Sequence, residues 1–243
     1  MNFLAHAEVA RRMGGASDAT VLGAMLPDLA HLVPFGIVRS GLPAALAAGW
    51  DCHVASDSVF HADTRFRAAV SGMARRLRHG GWRQWPAHAA AHVSWELLLD
   101  GRWVLRSDPA GWFPAVVRSP TFLEHLQPDE ARQWLQLADL RFATSLWAPY
   151  VDPEPVAERT WRRLRRTSVA FGADGIGQLA DLLGEQVAVV EELAEPMVQA
   201  AAAAAAAASA AAVAAVANGP DAGTNLNARS LPLGGTPPTA PRP

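Results

Sequence analysis

The sequence predicts an all-α protein, and three observations carry that expectation. No run of alternating β-branched residues with a hairpin turn occurs anywhere in the 243 residues. Metal-competent side chains recur every fourth residue in His53-Val-Ala-Ser-Asp57-Ser-Val-Phe-His61 and again in His88-Ala-Ala-Ala-His92-Val-Ser-Trp-Glu96. A four-residue step advances about 40° past a full turn, so each trio lies on one helix face. Finally, 200–217 is nearly pure alanine, the best helix former.

Each element follows from local chemistry. Asn2 can cap a helix from Phe3 to Met13, which Gly14-Gly15 ends. Ser17 or Asp18 caps a second helix through Thr20, Leu22 and Met25, and Pro27 should kink or break it. Gly41-Leu42-Pro43 leads into the helix carrying His53, Asp57 and His61, and Arg65 to Leu77 continues or follows it. His79-Gly80-Gly81 is a break, after which Pro86 suits the first turn of the helix carrying His88, His92 and Glu96. Pro109, Pro114 and Pro120 punctuate an irregular middle. Further helices are expected over 120–136, 138–148, 153–170 and 175–198.

The chain divides into a helical domain over 1–198, an alanine-rich helical extension over 199–217 and a tail over 218–243. The tail is rich in Gly, Pro, Thr and Asn and is expected to be disordered. The alanine run approaches membrane-spanning length. Alanine is far less lipophilic than leucine, however, and no aromatic belt flanks the run, so no membrane span is expected. The N-terminus lacks a basic region and a continuous apolar stretch, which argues against a secretory signal and for the cytoplasm.

Composition excludes several classes. A net charge of −2 argues against a nucleic-acid binder held by bulk electrostatics. Cys52 is the single cysteine, so there is no intramolecular disulfide and no multi-cysteine zinc site. Cys52 and its neighbour His53 diverge on a helix, and the thiol reads as a buried structural one. Glycine-rich dinucleotide and P-loop motifs, the Gly-x-Ser-x-Gly elbow and His-Glu-x-x-His are all missing.

The histidines point to a centre. Seven of the eight lie between His6 and His92, and two helices each carry a His and a carboxylate four residues apart. Asp28 and His31 add another close pair. As isolated surface pairs, His53–Asp57 and His92–Glu96 are worth only a few tenths of a kcal/mol each. That account leaves Glu96 unexplained, because Val93, Trp95, Leu97 and Leu98 around it imply costly burial. Imidazoles and carboxylates facing inward from packed helices suit a transition metal or zinc.

Three segments together carry a more specific resemblance. Met1-Asn2-Phe3-Leu4-Ala5-His6 is similar to the opening of the acyl-carrier-protein phosphodiesterase family, helical bacterial proteins distantly related to the HD-domain phosphohydrolases. Leu22-Gly23-Ala24-Met25-Leu26-Pro27-Asp28 resembles that family's Gly-x-x-x-x-Asp segment. Gly49-Trp50-Asp51-Cys52-His53-Val54-Ala55-Ser56-Asp57 stands where the family shows Gly-x-His-x-His-Arg-x-Ile-Asp. A weaker match is His92-Val93-Ser94-Trp95-Glu96, where the family tends toward Asp-x-x-x-Asp-His. The similarity spans residues 1–198, with the first hundred carrying nearly all its specificity.

This resemblance implies an HD-like helical bundle and a metal-dependent phosphodiester hydrolase. The family's named activity releases 4′-phosphopantetheine from holo-acyl carrier protein, usually with manganese, so an acyl carrier protein is the implied partner. His6, Asp28, His53 and Asp57 stand at the family's polar positions. His92 and Glu96 replace acidic positions, and Leu97 stands where the family often has histidine. Asp51 replaces a histidine, and His61 falls where the family often has aspartate. More nitrogen in the shell shifts the expected ion from manganese toward zinc or iron.

The expected metal ligands are therefore His6, Asp28, His53, Asp57, His61, His92 and Glu96. Asp57, Glu96 and Arg65 are the candidate catalytic side chains. With no lysine in the chain, an arginine must receive phosphate charge. Arg65 and Arg67 are nearest in sequence, ahead of the clusters at Arg75-Arg76-x-Arg78 and Arg162-Arg163-x-Arg165-Arg166. Two alternatives stay open: hydrolysis of a nucleotide or another small phosphate ester, and a catalytically silent metal-binding or scaffold protein.

Overall fold

A computed structural model describes residues 3–139, 148–165 and 175–217. Every regular element among the described residues is helical. They are α1 (Phe3–Arg12), α2 (Asp18–Leu29), α3 (Ala44–Ala62), α4 (Thr64–His79), α5 (Gln84–Ser107), α6 (Pro109–Val117), α7 (Pro120–Leu123), α8 (Pro128–Leu137), α9 (Pro153–Arg165) and α10 (Gly175–Ala217), with short 3₁₀ turns between some of them. The all-α expectation holds. The cap at Asn2, most of the 138–148 helix, the 166–170 end of the 153–170 helix and the 218–243 tail lie outside the described residues.

Helices α1, α2, α3 and α5 enclose a core that α10 closes by lying against α1, α3, α5 and α9. Leu4, Leu22, Met25, Leu26, Trp95, Trp103, Leu183 and Leu193 belong to this one buried cluster. The α2–α3 crossing is unusually close because it is built on two glycines. A Cβ on Gly23 would strike the Leu46 carbonyl, and one on Gly49 would strike the carbonyl of Thr20. Backbone therefore packs on backbone there, which brings the end of α2 within reach of α3 side chains.

The first turn of α1 is tied down from a distance. Its Ala5 N–H donates to Oδ1 of the fully buried Asp100 on α5, at 3.0 Å. A carboxylate at a helix N-terminus satisfies an otherwise orphaned donor and faces the positive end of the dipole. His6 follows in the same turn, so this contact helps to place it.

Several boundaries differ from the sequence expectations. Pro27 does not break α2 at once; the helix ends two residues later and passes into a 3₁₀ turn at Ala30–Leu32. Pro27 gives up the hydrogen bond its N–H would have made to the carbonyl four residues earlier, and the regular helix stops within the same turn. The irregular middle contains a true helix, α6, with Pro109 in its first turn and a left-handed Asp108 (φ 41°) separating it from α5. The single helix expected over 120–136 is two helices. Pro128 forces Gln127 into an extended conformation, and a Gln127–Glu130 capping box then starts α8.

Helix α10 runs without interruption across the expected boundary at 198/199. Leu179, Leu183, Val190, Leu193 and Val198 are buried, as are Ala201 and Ala205, whereas 206–214 are exposed. Among the described residues, α10 alone is long and apolar enough to cross a membrane, and its first half serves as a core helix.

Candidate metal centre

Helix α3 presents His53, Asp57 and His61 on successive turns, and each meets a different neighbour. His53 Nδ1 donates to the Ala24 carbonyl at 2.9 Å, a contact the glycine crossing permits. The neighbouring Ser56 hydroxyl donates to the His53 carbonyl at 2.9 Å. Its oxygen is then left to accept from His6 Nδ1 at 2.6 Å. Both rings are thus held in the tautomer whose Nε2 carries the lone pair. They lie against each other with centroids 3.9 Å apart. Burial pushes the His6 pKa well below its ordinary value, and the proximity of His53 adds to the effect, so His6 is neutral and able to ligate.

Asp28, from the last turn of α2, completes a first group. One ligand atom from each of His6, Asp28 and His53 lies within 4.8 Å of the others. A second group forms where the end of α3 faces α5. His61 Nε2 is 3.1 Å from His92 Nε2 and 3.3 Å from Glu96 Oε1, and His92 Nε2 is 2.8 Å from the same oxygen. Phe66 of α4 packs against this group, its centroid 5.7 Å from that of the tilted His61 ring, and meets His92 and Trp95 edge-on at 5.5 Å and 4.9 Å.

Asp57 stands between the two groups. Its Oδ1 is 3.9 Å from His6 Nε2, and its Oδ2 is 3.2 Å from His61 Nδ1. The His61 ring lies between two carboxylates, Asp57 first and then Glu96, which raise its pKa to about 10. Glu96 shows the complementary effect. Burial pushes its pKa up, but hydrogen bonds from His61 and His92 outweigh that and hold it well below the ordinary carboxylate range. Its side chain is 12% exposed.

Both groups fit a metal ion on donor chemistry. Each offers two imidazoles and one carboxylate, the set found in catalytic zinc sites and in non-haem iron sites with open positions. Ligands about 2.0–2.2 Å from a common ion stand roughly 3 Å from one another, which matches the 2.8–3.3 Å spacing of the second group. No protein-family profile matches the chain, and no curated protein or solved structure matches it either.

The seven ligands expected from sequence are thus distributed over two groups, with Asp57 between them rather than within one shell. His88, which shares the four-residue spacing of His92 and Glu96, stays outside. It is exposed, its ring is 6.2 Å from that of His92, and His61 of α3 takes the third place. Arg65 is exposed in the first turn of α4, where its guanidinium lies 3.6 Å from Asp63. Arg76 pairs with Glu185 and Arg162 with Glu158, both on the surface, while Arg166 lies outside the described residues. Asp51 also turns outward and pairs with Arg39. Cys52 is buried, and that burial pushes its thiol up to about 11, in keeping with a structural role.

Sequence reasoning missed Ser56 and the Ala24 carbonyl. The serine one turn after His53 was a usable signal, since it can bond back to the His53 carbonyl while accepting from a ring. The carbonyl had no signal beyond Gly23 and Gly49.

Proposed function

We propose that this protein is a metal-dependent phosphodiester hydrolase of HD-like architecture. The observation that carries the reading is the first triad, in which His6 and His53 have both Nδ1 protons committed to protein acceptors and Asp28 lies beside them. Fixed tautomers and a buried, neutral His6 are what a metal-binding imidazole pair needs. A bound divalent ion supplies Lewis acidity at phosphorus and lowers the pKa of a water toward neutrality.

The chain's own residues do the rest. His6, Asp28 and His53 hold the centre, and the Ser56 and Ala24 contacts keep the rings from turning. Asp57 has a 41% exposed side chain and places Oδ1 at the open edge of the first triad, where it can accept a proton from an incoming hydroxyl or water. Glu96, kept ionised by two histidines, is the second candidate carboxylate and is itself a member of the second triad. Arg65 lies in the first turn of α4, the helix directly after α3, and is the residue we assign to phosphate. Its exposed pair with Asp63 is worth at most ~1 kcal/mol, so a phosphate can displace it.

The substrate reading rests on the resemblance: the phosphopantetheine ester of holo-acyl carrier protein, or a diverged phosphodiester. Two imidazoles per carboxylate favour zinc or iron over manganese. The test combines metal analysis of purified protein with turnover of bis(p-nitrophenyl) phosphate and of holo-acyl carrier protein. His53→Ala should lose bound metal and hydrolysis while keeping its helicity by circular dichroism. Undiminished hydrolysis by that variant would refute the site. Turnover of nucleotides or phosphomonoesters alone would replace the substrate class, and tight metal binding without turnover of any ester would leave a binding protein.

A further inference from the structure

The two triads share α3 but share no ligand. His53 works with α1 and α2, whereas His61, two turns later, works with α5. Within each triad the ligand atoms lie inside 4.8 Å of one another, and neither group takes in a member of the other. An ion holds its ligands at about 2.0–2.6 Å, so one ion satisfies one triad. In the second triad two Nε2 atoms and one carboxylate oxygen converge on a single point. Without an ion these three atoms share protons in one hydrogen-bonded cluster, and a cation that displaces those protons would find two nitrogens and an oxygen already 2.8–3.3 Å apart.

Asp57 supplies the connection. Oδ1 faces His6 Nε2 on the side of the first triad, and Oδ2 accepts from His61 Nδ1 on the side of the second. A carboxylate that takes the Nδ1 proton of a histidine fixes the ring so that Nε2 is the ligating atom. We propose that the chain binds two metal ions, one on His6–Asp28–His53 and one on His61–His92–Glu96, and that Asp57 couples them as the orienting partner of His61. This rests on the reading of the first triad as a metal site and adds a second ion that the hydrolase reading does not require. Asp57 is a positioning residue for the second site, whatever proton it handles at the first.

The experiment is a zinc titration of the full-length, chelator-stripped protein, followed by calorimetry and by elemental analysis after gel filtration. The unmodified protein should take up two equivalents. His92→Gln and His53→Gln should each take up one, with far-ultraviolet circular dichroism matching the parent. Asp57→Asn should still bind two ions but hold the one on the second triad 10–100-fold more weakly, the usual effect of losing a ligand-orienting carboxylate. Cobalt(II) in place of zinc gives an independent reading, since each single-site variant should keep one visible absorption band and lose the other. One equivalent that survives His92→Gln and vanishes with His53→Gln would overturn the second site while leaving the hydrolase reading intact. Loss of all binding in either variant would also overturn it, because the seven residues would then serve one ion. No binding by the unmodified protein would overturn both readings.

Discussion

Asp100 is the residue whose replacement separates charge from packing. It is fully buried, it accepts the Ala5 N–H, and burial pushes its pKa well above that of an ordinary carboxylate. A raised folded-state pKa means that the folded protein binds the proton more tightly. The contribution to stability is complete below the unfolded value of about 3.9 and is lost as pH rises through the folded value. Asp100→Asn keeps an oxygen acceptor without the charge, so it should match or exceed the parent in urea melts at pH 8. Asp100→Ala strands the Ala5 N–H and should cost ~1–3 kcal/mol in the same melts. Cys52 gives a second check: with its thiol pushed up to about 11, native protein at pH 8 should resist iodoacetamide that modifies the urea-unfolded chain readily. At this scale the sequence was most legible where chemistry is local. The spacing of His53, Asp57 and His61 predicted a shared face, and the face is there. It could not tell that His61, rather than His88, completes the set with His92 and Glu96, because that choice depends on how α3 meets α5. Nor could it join Asp100 to Ala5, ninety-five residues away.

Among the elements, the α2–α3 crossing controls the centre. Gly49→Ala places a methyl group against the Thr20 carbonyl and forces the helices apart. Overpacking of this kind costs about 1–3 kcal/mol. Because the same movement stretches the His53–Ala24 hydrogen bond, the variant should also bind zinc more weakly, whereas Gly72→Ala, where a Cβ meets nothing in the interior of α4, should leave the titration unchanged and raise the melt slightly, by about 0.5–1 kcal/mol of helix propensity. Equal metal affinity in Gly49→Ala and the parent would show that the crossing does not position His53. Helix existence was readable from caps and periodicity, and boundaries were not always. A helix expected over 120–136 ignores Pro128, although its effect on Gln127 is a local rule, and α6 hides among prolines that begin it or sit in its interior.

The whole molecule depends on α10, which touches α1, α3, α4, α5 and α9 and leaves the bundle after Ala205. Truncation after Ala205 removes the exposed stretch 206–214, alanine apart from Ser209 and Val213, together with the residues that follow it. It should leave the Tm within about 3 °C of the parent. Truncation after Ala200 also removes the buried Ala201 and Ala205, and should lower it measurably further. A large loss in the shorter deletion would mean that the exposed segment has a partner. The direction in which the centre opens has a kinetic meaning of its own. The side chain of His6 is 2% exposed, while those of His92, His61 and Asp57 are 31%, 37% and 41% exposed. Each triad has one largely buried ligand, His6 or Glu96, and two half-buried ones, and the more exposed Asp57 lies between them. Whatever occupies this centre therefore meets solvent beside Asp57, and a chelator should strip the two positions at comparable rates.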